Sequence, residues 1–103
     1  MNKFHNQKVK TKEGTFDSKK EYHRWNELKL LRKAGVIQSL ERQVPFILIN
    51  KSKYGREIRY IADFVYKENG KVVIEDTKGV KTDVYKLKKR LMAERYGIRI
   101  VET

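Results

Sequence analysis

Residues 72–79, VVIEDTKG, change character halfway along. An apolar run typical of the middle of a β-sheet is followed by two acids and a lysine, where a strand would be expected to continue burying side chains. Side chains alternate between the two faces of a strand, so Asp76 and Lys78 share the face of Ile74, and Glu75 lies on the opposite face as a solvated or salt-bridged residue. A shift of pairing by one residue would exchange the two acids.

The preceding strand carries another isolated acid. Segment 57–66, EIRYIADFVY, predicts a strand with Asp63 among apolar residues, and the KENG turn at 67–70 returns the chain antiparallel into strand 71–79. Burying an unpaired carboxylate is costly, and neighbouring carboxylates repel each other. The pair formed by Asp63 and Asp76 on adjacent strands therefore indicates a bound divalent cation.

The segment DSKKEYHRWNELKLLRKAG, residues 17–35, predicts a helix from about Lys19 to Ala34. Ser18 and Glu21 have the spacing of a capping box, which would explain Glu21 without any catalytic role. The apolar residues of this helix recur at three-residue steps and are expected in the core: Tyr22, Trp25, Leu28 and Leu31.

A second helix is predicted from about Asp83 to Tyr96, with Thr82 as its N-cap. Its apolar face would consist of Val84, Leu87 and Leu91. The chain closes with IRIVE, residues 98–102, a short strand expected in the interior of the sheet.

The remaining segments complete an α/β fold, a small mixed β-sheet flanked by helices in the order helix, three-strand meander, helix, strand. Residues 8–16 suggest a small hairpin or a bent strand. Residues 36–40 and 43–50 suggest strands, and Pro45 places the second of these at a sheet edge or at the beginning of the strand. We expect a single domain, residues 1–103, whose residues 1 to about 7 form a flexible basic end.

The charge of the chain favours a polyanionic partner. Twenty-five Lys and Arg against thirteen Asp and Glu give a formal net charge of +12 at pH 7. DNA is the expected partner, since no apolar segment is long enough to span a membrane and no secretory leader is recognisable. We expect a cytoplasmic location.

The absence of cysteine excludes disulfide scaffolds and cysteine-based zinc sites. The two histidines, His5 and His23, are too few and too far apart to form a zinc site. Any metal would be a hard cation on oxygen ligands, such as Mg²⁺, Mn²⁺ or Ca²⁺.

The stretches SKKE with Glu21, YIADF with Asp63, and VIEDTKG with Asp76 and Lys78 occur in one order on the predicted elements. This arrangement resembles the PD-(D/E)XK nuclease superfamily, also called the restriction-endonuclease-like fold. The chain is also similar to small phage-encoded nuclease-like proteins, to the amino-terminal catalytic domain of transposase endonuclease subunits and, more distantly, to Holliday-junction resolvases. Ala62 stands where the family name has proline, at a position that varies among members.

The resemblance implies a metal-dependent endodeoxyribonuclease. Asp63, Asp76 and the backbone carbonyl of Thr77 would bind Mg²⁺, or Mn²⁺ in its place. Glu21 would complete the site as a ligand of the metal or of its water, and Lys78 would serve the attacking water. Such an enzyme could act on branched DNA in phage recombination, repair or processing.

Contacts to DNA are expected from basic residues near the second helix, together with a tyrosine and a glutamine: Lys81, Lys86, Lys88, Lys89, Tyr85 and Gln43. The alternatives are a solvated helix face and, for the tyrosines at positions 60, 66 and 85, packing in the core. Two other functions remain open: a non-catalytic nucleic-acid-binding module, and a nuclease subunit that is active only with a partner. A homodimer or a protein partner could supply specificity.

Overall fold

A computed structural model of the chain describes residues 7–77 and 80–103. The predicted catalytic Lys78 and nearly all of the predicted flexible basic end lie outside the described residues. The elements follow one another as β1 Val9–Thr11, β2 Gly14–Phe16, α1 Lys19–Lys33, β3 Gln38–Ile49, β4 Ile58–Glu68, β5 Lys71–Asp76, α2 Asp83–Tyr96 and β6 Ile100–Glu102.

Strands β3, β4, β5 and β6 form one mixed sheet, in that order. The first three strands are antiparallel neighbours, and β6 runs parallel to β5. β1 and β2 form a separate hairpin, as predicted. The α/β class with a small mixed sheet and two helices is therefore confirmed.

The position of β6 differs from the prediction. In the described part of the chain this strand stands at the edge of the sheet beside β5, not in the interior. The strand buries an apolar side chain on one face of the sheet only. Ile100 is buried against α2, whereas Val101, on the other face, is 46% exposed. A strand that buries a single side chain needs no neighbour on both sides.

Both helices begin at the predicted caps. The Ser18 hydroxyl accepts the Glu21 backbone N–H at 3.1 Å, and the Thr82 hydroxyl accepts the Tyr85 N–H at 3.1 Å. α2 ends at Gly97, whose φ of 67° is the left-handed conformation that glycine adopts without a Cβ penalty. Neither of the helices described is long and apolar enough to cross a membrane.

The turn between β4 and β5 sets their pairing. Asn69 and Gly70 have φ values of 53° and 76°, the two positive angles of a type I′ turn. This two-residue connection pairs Glu68 with Lys71 and, further along, Phe64 with Glu75.

The sheet separates two apolar cores. The α1 core contains Phe16, Trp25, Leu28, Ile37, Leu40, Phe64 and Tyr66. The α2 core contains Leu48, Tyr60, Ala62, Ile74, Tyr85, Met92 and Ile100. The consecutive residues Val73 and Ile74 pack on the α1 core and in the α2 core respectively, so the predicted alternation along β5 is confirmed.

The buried face of α2 differs from the prediction. Val84 and Leu87 are 63% and 59% exposed, and the buried residues are Tyr85 and Met92, two turns apart. A tyrosine ring buries more apolar area than a valine, and its hydroxyl can bond an acceptor at the rim. Leu91 alone of the predicted face packs against the α2 core.

Glu75 is the buried acid of the α1 side. Its carboxylate, 1% exposed, accepts hydrogen bonds from Arg24 Nε at 2.8 Å and Nη2 at 2.6 Å, and a further one from the Tyr66 hydroxyl. The hydrogen bond to Glu75 raises the pKa of Arg24, and burial raises that of Tyr66. Glu75 is therefore salt-bridged and not solvated.

Replacing Arg24 with methionine is expected to lower the free energy of unfolding by about 3 kcal/mol, because it leaves the buried Glu75 carboxylate without its charged partner. The matched control is Glu27→Ala, which removes only a surface contact of Arg24 at 3.9 Å and should cost less than about 1 kcal/mol. Urea unfolding followed by circular dichroism measures both. Equal, small losses would show that the buried pair does not hold α1 to β5.

Candidate active site

Three acids predicted from the sequence lie close together in the structure. Glu21 is in the first turn of α1, Asp63 is on β4, and Asp76 is the last residue of β5. The side-chain amide of Gln43 connects two of them: its Nε2 lies 3.4 Å from Glu21 Oε2 and 3.3 Å from Asp63 Oδ1. Gln43 was predicted to contact DNA, and the structure places it among the acids.

The backbone opposite Asp63 has an unusual conformation. Gln43 has a φ of 52° and lies between the pairs Arg42 with Phe64 and Val44 with Ala62. Ala62 belongs to the α2 core and Phe64 to the α1 core, although residues two apart in a regular strand share a face.

The side chains of the neighbouring strand, β3, change from one core to the other at the same position along the sheet. The Arg42 guanidinium lies 3.7 Å from the Phe16 ring centroid, in the α1 core, whereas Phe46 packs against the α2 core. Both strands therefore pass from one core to the other at the position of Gln43 and Asp63, which brings these side chains to the boundary between the two layers.

Asp63 is held by the end of β5. Pairing between β4 and β5 reaches Phe64 and Glu75, so the residues that follow Glu75 come to lie beside Asp63. The Thr77 backbone N–H donates to Asp63 Oδ2 at 2.8 Å, and the Asp76 carboxyl group lies close enough to raise the pKa of Asp63. The two aspartates therefore act as one unit.

Asp76 is completely buried, with 0% of its surface exposed. The Tyr60 hydroxyl donates to Asp76 Oδ2, and the Asp76 backbone carbonyl accepts the Thr103 N–H at 3.0 Å. Burial and the bond to Asp76 raise the pKa of Tyr60, which keeps this hydroxyl protonated and able to donate. Tyr60 is thus a partner of the site, whereas the sequence suggested only base stacking or packing for it.

The acids resist ionising together. Burial first, and then the hydrogen bond and charge of Asp76, raise the pKa of Asp63 to about 8, from 3.8 for an isolated side chain, although the Thr77 N–H opposes the shift. Burial, and then the Asp17 carboxylate, raise the pKa of Glu21. A cluster with these properties favours a proton or a cation between its oxygens.

Glu21 takes part in both the cap and the acid cluster. Its backbone N–H makes the predicted bond to Ser18, while its carboxylate, 3% exposed, lies 3.6 Å from Arg42 Nη2. The same carboxylate reaches Gln43. The structure therefore shows the Ser18 half of the predicted capping box, and the Glu21 side chain is directed at the site.

The donor set suits a hard cation held by two carboxylates. Within residues 7–77 and 80–103, no group of three or more His, Cys, Asp or Glu side chains is arranged to hold a metal ion. Mg²⁺, however, commonly binds through one or two carboxylates and keeps several waters, unlike Ca²⁺ or Zn²⁺. Asp63 and Asp76 supply such a pair of oxygen ligands, and a cation would relieve their repulsion.

The predicted DNA-contacting lysines differ in their surroundings. Lys81 and Lys89 bond Glu102 Oε1 at 3.1 and 3.3 Å. Lys86 is exposed, and the half-buried Lys88 lines a cavity of about 260 Å³ beside Tyr60. Lys88 therefore lies beside Tyr60, whose hydroxyl bonds Asp76.

Tyr85 is not placed to contact a base. Its side chain is 6% exposed and packs in the α2 core, and its hydroxyl donates to Glu102 at 2.8 Å. That hydroxyl, and then Lys81, lower the pKa of Glu102 to about 2. Tyr85 therefore packs in the core, which was the alternative prediction for this residue. A ring enclosed by the core cannot stack on DNA.

The raised pKa of Asp63 predicts a pH dependence of stability. The folded protein binds a proton there that the unfolded chain releases near pH 4, so this contribution to stability is complete below pH 4 and is lost as the pH rises through about 8. Asp63→Asn, which imitates the protonated acid, should match wild type near pH 4 and exceed its free energy of unfolding at pH 8 by up to about 5 kcal/mol.

Urea unfolding in EDTA from pH 4 to pH 8 measures this difference. Glu41→Gln, which neutralises an exposed carboxylate on β3, is the control and should leave the pH profile unchanged. An Asp63→Asn variant that is less stable than wild type at pH 8 would contradict the assignment.

Comparison with known proteins gives a family without a described activity. No curated protein and no solved structure matches the chain at a significant level. A family model described as protein of unknown function (DUF1064) matches residues 1–101. Because this match covers nearly the whole sequence, the chain belongs to the DUF1064 family.

Proposed function

We propose that the protein is a Mg²⁺-dependent DNA endonuclease that hydrolyses phosphodiester bonds, with Mn²⁺ able to replace Mg²⁺. The observation that carries this proposal is the closeness of the Asp63 and Asp76 carboxyl groups, with the Gln43 amide linking Asp63 to Glu21, on a chain of net charge +12. The resemblance to PD-(D/E)XK nucleases supports the same roles for these residues.

Asp63 and Asp76 would hold the ion. The backbone carbonyl of Thr77 and the Glu21 carboxylate would complete the site, as the resemblance implies. When bound, the ion would neutralise charge on the phosphoryl group and lower the pKa of a water molecule.

The neighbouring side chains would keep the acids oriented. The Thr77 N–H fixes one oxygen of Asp63 and the Gln43 amide approaches the other, while the Tyr60 hydroxyl fixes Asp76. Partners of this kind restrict the rotation of ligand carboxylates, so that little reorganisation is needed when substrate binds.

Lys78 would position the attacking water and help to remove its proton. Lys78 follows Asp76 by two residues in the sequence. The products of the reaction would carry 5′-phosphate and 3′-hydroxyl ends. The substrate would be DNA, with branched DNA in phage recombination, repair or processing as the proposed context. A domain of this size leaves little surface for reading sequence, so a second copy or a partner would supply specificity.

One observation favours a second candidate, a nucleic-acid-binding module without catalysis. The Asp63 carboxylate accepts a hydrogen bond from the Thr77 N–H, and the Asp76 carboxylate accepts one from the Tyr60 hydroxyl. Buried carboxylates with protein donors of this kind can be purely structural.

Cleavage assays separate the two candidates. Supercoiled plasmid, nicked plasmid and a four-way junction are each incubated with the protein and Mg²⁺ or Mn²⁺. We expect cleavage of at least one substrate, and a loss of rate of about a hundredfold or more in Asp63→Asn and Asp76→Asn. Glu68→Gln, at the far end of the same hairpin, should cut at the wild-type rate.

Intact DNA under all conditions would contradict the proposal, as would unchanged rates in both aspartate variants. Salt-dependent binding in EDTA without any cleavage would then support the binding module.

Removing the Gln43 side chain tests the bridge between the acids. Glycine adopts the φ of 52° found at this position without strain, so Gln43→Gly should unfold at a temperature close to that of wild type. Its cleavage rate should fall by about tenfold, the usual effect of losing a partner of a metal-binding carboxylate.

The matched control is Gln38→Ala, on the same strand, whose amide bonds only the Gly35 carbonyl. A Gln43→Gly enzyme that cuts as fast as this control would show that the bridge has no part in catalysis.

A further inference from the structure

A basic cavity of about 540 Å³ opens at the sheet edge formed by β6, apart from the carboxylates. It is lined by Lys86, Lys89, Arg90, Ala93, Arg99 and Ile100. Four of these six residues are cationic, and no acidic residue is among them.

The fold itself gathers these cations. Lys86, Arg90 and Ala93 follow one another at steps of four and three residues, so they share one face of α2. Arg99 is the residue that immediately precedes β6. Ile100, the first residue of β6, is 5% exposed and forms the floor of the cavity. The small side chain of Ala93 leaves the space between the cations open.

Most of this charge is not neutralised within the protein. Lys89 bonds Glu102, but the side chains of Lys86, Arg90 and Arg99 make no hydrogen bond or ion pair in the part of the chain that the structure describes. Cations held close together without counter-charges repel one another, and an anion between them removes that cost. The guanidinium groups of two arginines present the paired N–H donors that suit a phosphate.

We propose that this cavity binds a phosphate group of the nucleic-acid backbone, at a site distinct from the carboxylates. Its lining carries no aromatic side chain to stack on a base, which favours a backbone phosphate over a free nucleotide. The inference rests on the proposed function in one respect, that the protein acts on nucleic acid.

The sheet gives this site a defined relation to the acids. Ile100 lies beside Ile74, and Glu102 lies beside Asp76, in the parallel pair of β5 and β6. Ile100, at the floor of the cavity, therefore lies two residues before the level of Asp76, which is about 7 Å along the strand. Lys89 lines the cavity and also bonds Glu102, so it connects the two regions. A phosphate bound here would fix the position of the nucleic acid relative to Asp76.

The salt dependence of DNA binding tests the site. A fluorescein-labelled duplex is titrated with protein in EDTA over a series of KCl concentrations, and anisotropy gives the binding constant. Losing one phosphate contact lowers the slope of log K against log[KCl] by about 0.9. We expect this change in Arg90→Gln/Arg99→Gln, with affinity at 0.1 M KCl reduced by about tenfold.

The matched control removes the same charge from α1. Arg32→Gln/Lys33→Gln alters another basic cavity, lined in addition by Asn26, Lys29 and Leu30. If the β6 cavity is a specific contact, this pair should keep the wild-type slope.

A second pair of variants places a carboxylate in each cavity. Ala93→Glu should reproduce the lower slope, and Leu30→Glu, which adds the same charge at an exposed position of α1, should not. Both positions are helical and exposed, so folding should be preserved and is checked by thermal melting.

Equal slopes in the two matched pairs would overturn the proposal, because binding would then depend only on total charge. ATP binding that is lost in Arg90→Gln/Arg99→Gln, with an unchanged DNA slope, would also overturn it in favour of a nucleotide site. Since binding is measured in EDTA, a protein that binds as expected but never cuts DNA would contradict the endonuclease and leave the phosphate site standing.

Discussion

The Arg24 guanidinium bonds both oxygens of Glu75 on the α1 side of β5, and the next residue, Asp76, points into the α2 core. Glu75 and Asp76 can face these two sides only in one register of β5 against β4. A slip of one residue would bring Asp76 to the arginine and Glu75 to Tyr60, and would also turn Ile74 out of the α2 core. The buried ion pair and the Asn69–Gly70 turn therefore hold the register from the two ends of the strand.

The two buried acids of β5 are stabilised in different ways. Glu75 has a charged partner, Arg24, that compensates for its burial. Asp76 instead accepts the Tyr60 hydroxyl, and it lies close enough to Asp63 to raise the pKa of that carboxyl. This difference is why we assign structure to Glu75 and chemistry to Asp76.

The sequence was sufficient for features governed by local rules. The Ser18 and Thr82 caps, the two-residue turn and the alternation along β5 depend on neighbours within a few residues, and each was predicted. The proximity of Asp63 and Asp76 was expected from adjacent strands, whereas the placement of Glu21 beside them was implied by the resemblance to PD-(D/E)XK nucleases. The edge position of β6 was not predicted, because apolar content alone does not show whether a strand has one neighbour or two.

Features that depend on tertiary packing were also missed. The buried face of α2 is set by Tyr85, whose hydroxyl has Glu102 as a partner, and a count of aliphatic residues could not show this. The positive φ of Gln43 and the change of sides at Asp63 arise where two strands pass between two cores. Arg99 received no role because its proximity to Arg90 exists only once α2 and β6 are packed together.

A calorimetric titration of the protein with Mn²⁺, repeated at pH 7 in buffers of different ionisation enthalpy, tests the central claim most directly. The account predicts one bound ion with the release of about one proton, because Asp63 must give up the proton it retains at this pH. Asp63→Asn and Asp76→Asn should lose binding, while Glu68→Gln should keep it. Absence of binding to the wild-type protein, or binding that survives both aspartate substitutions, would contradict a cation site between β4 and β5.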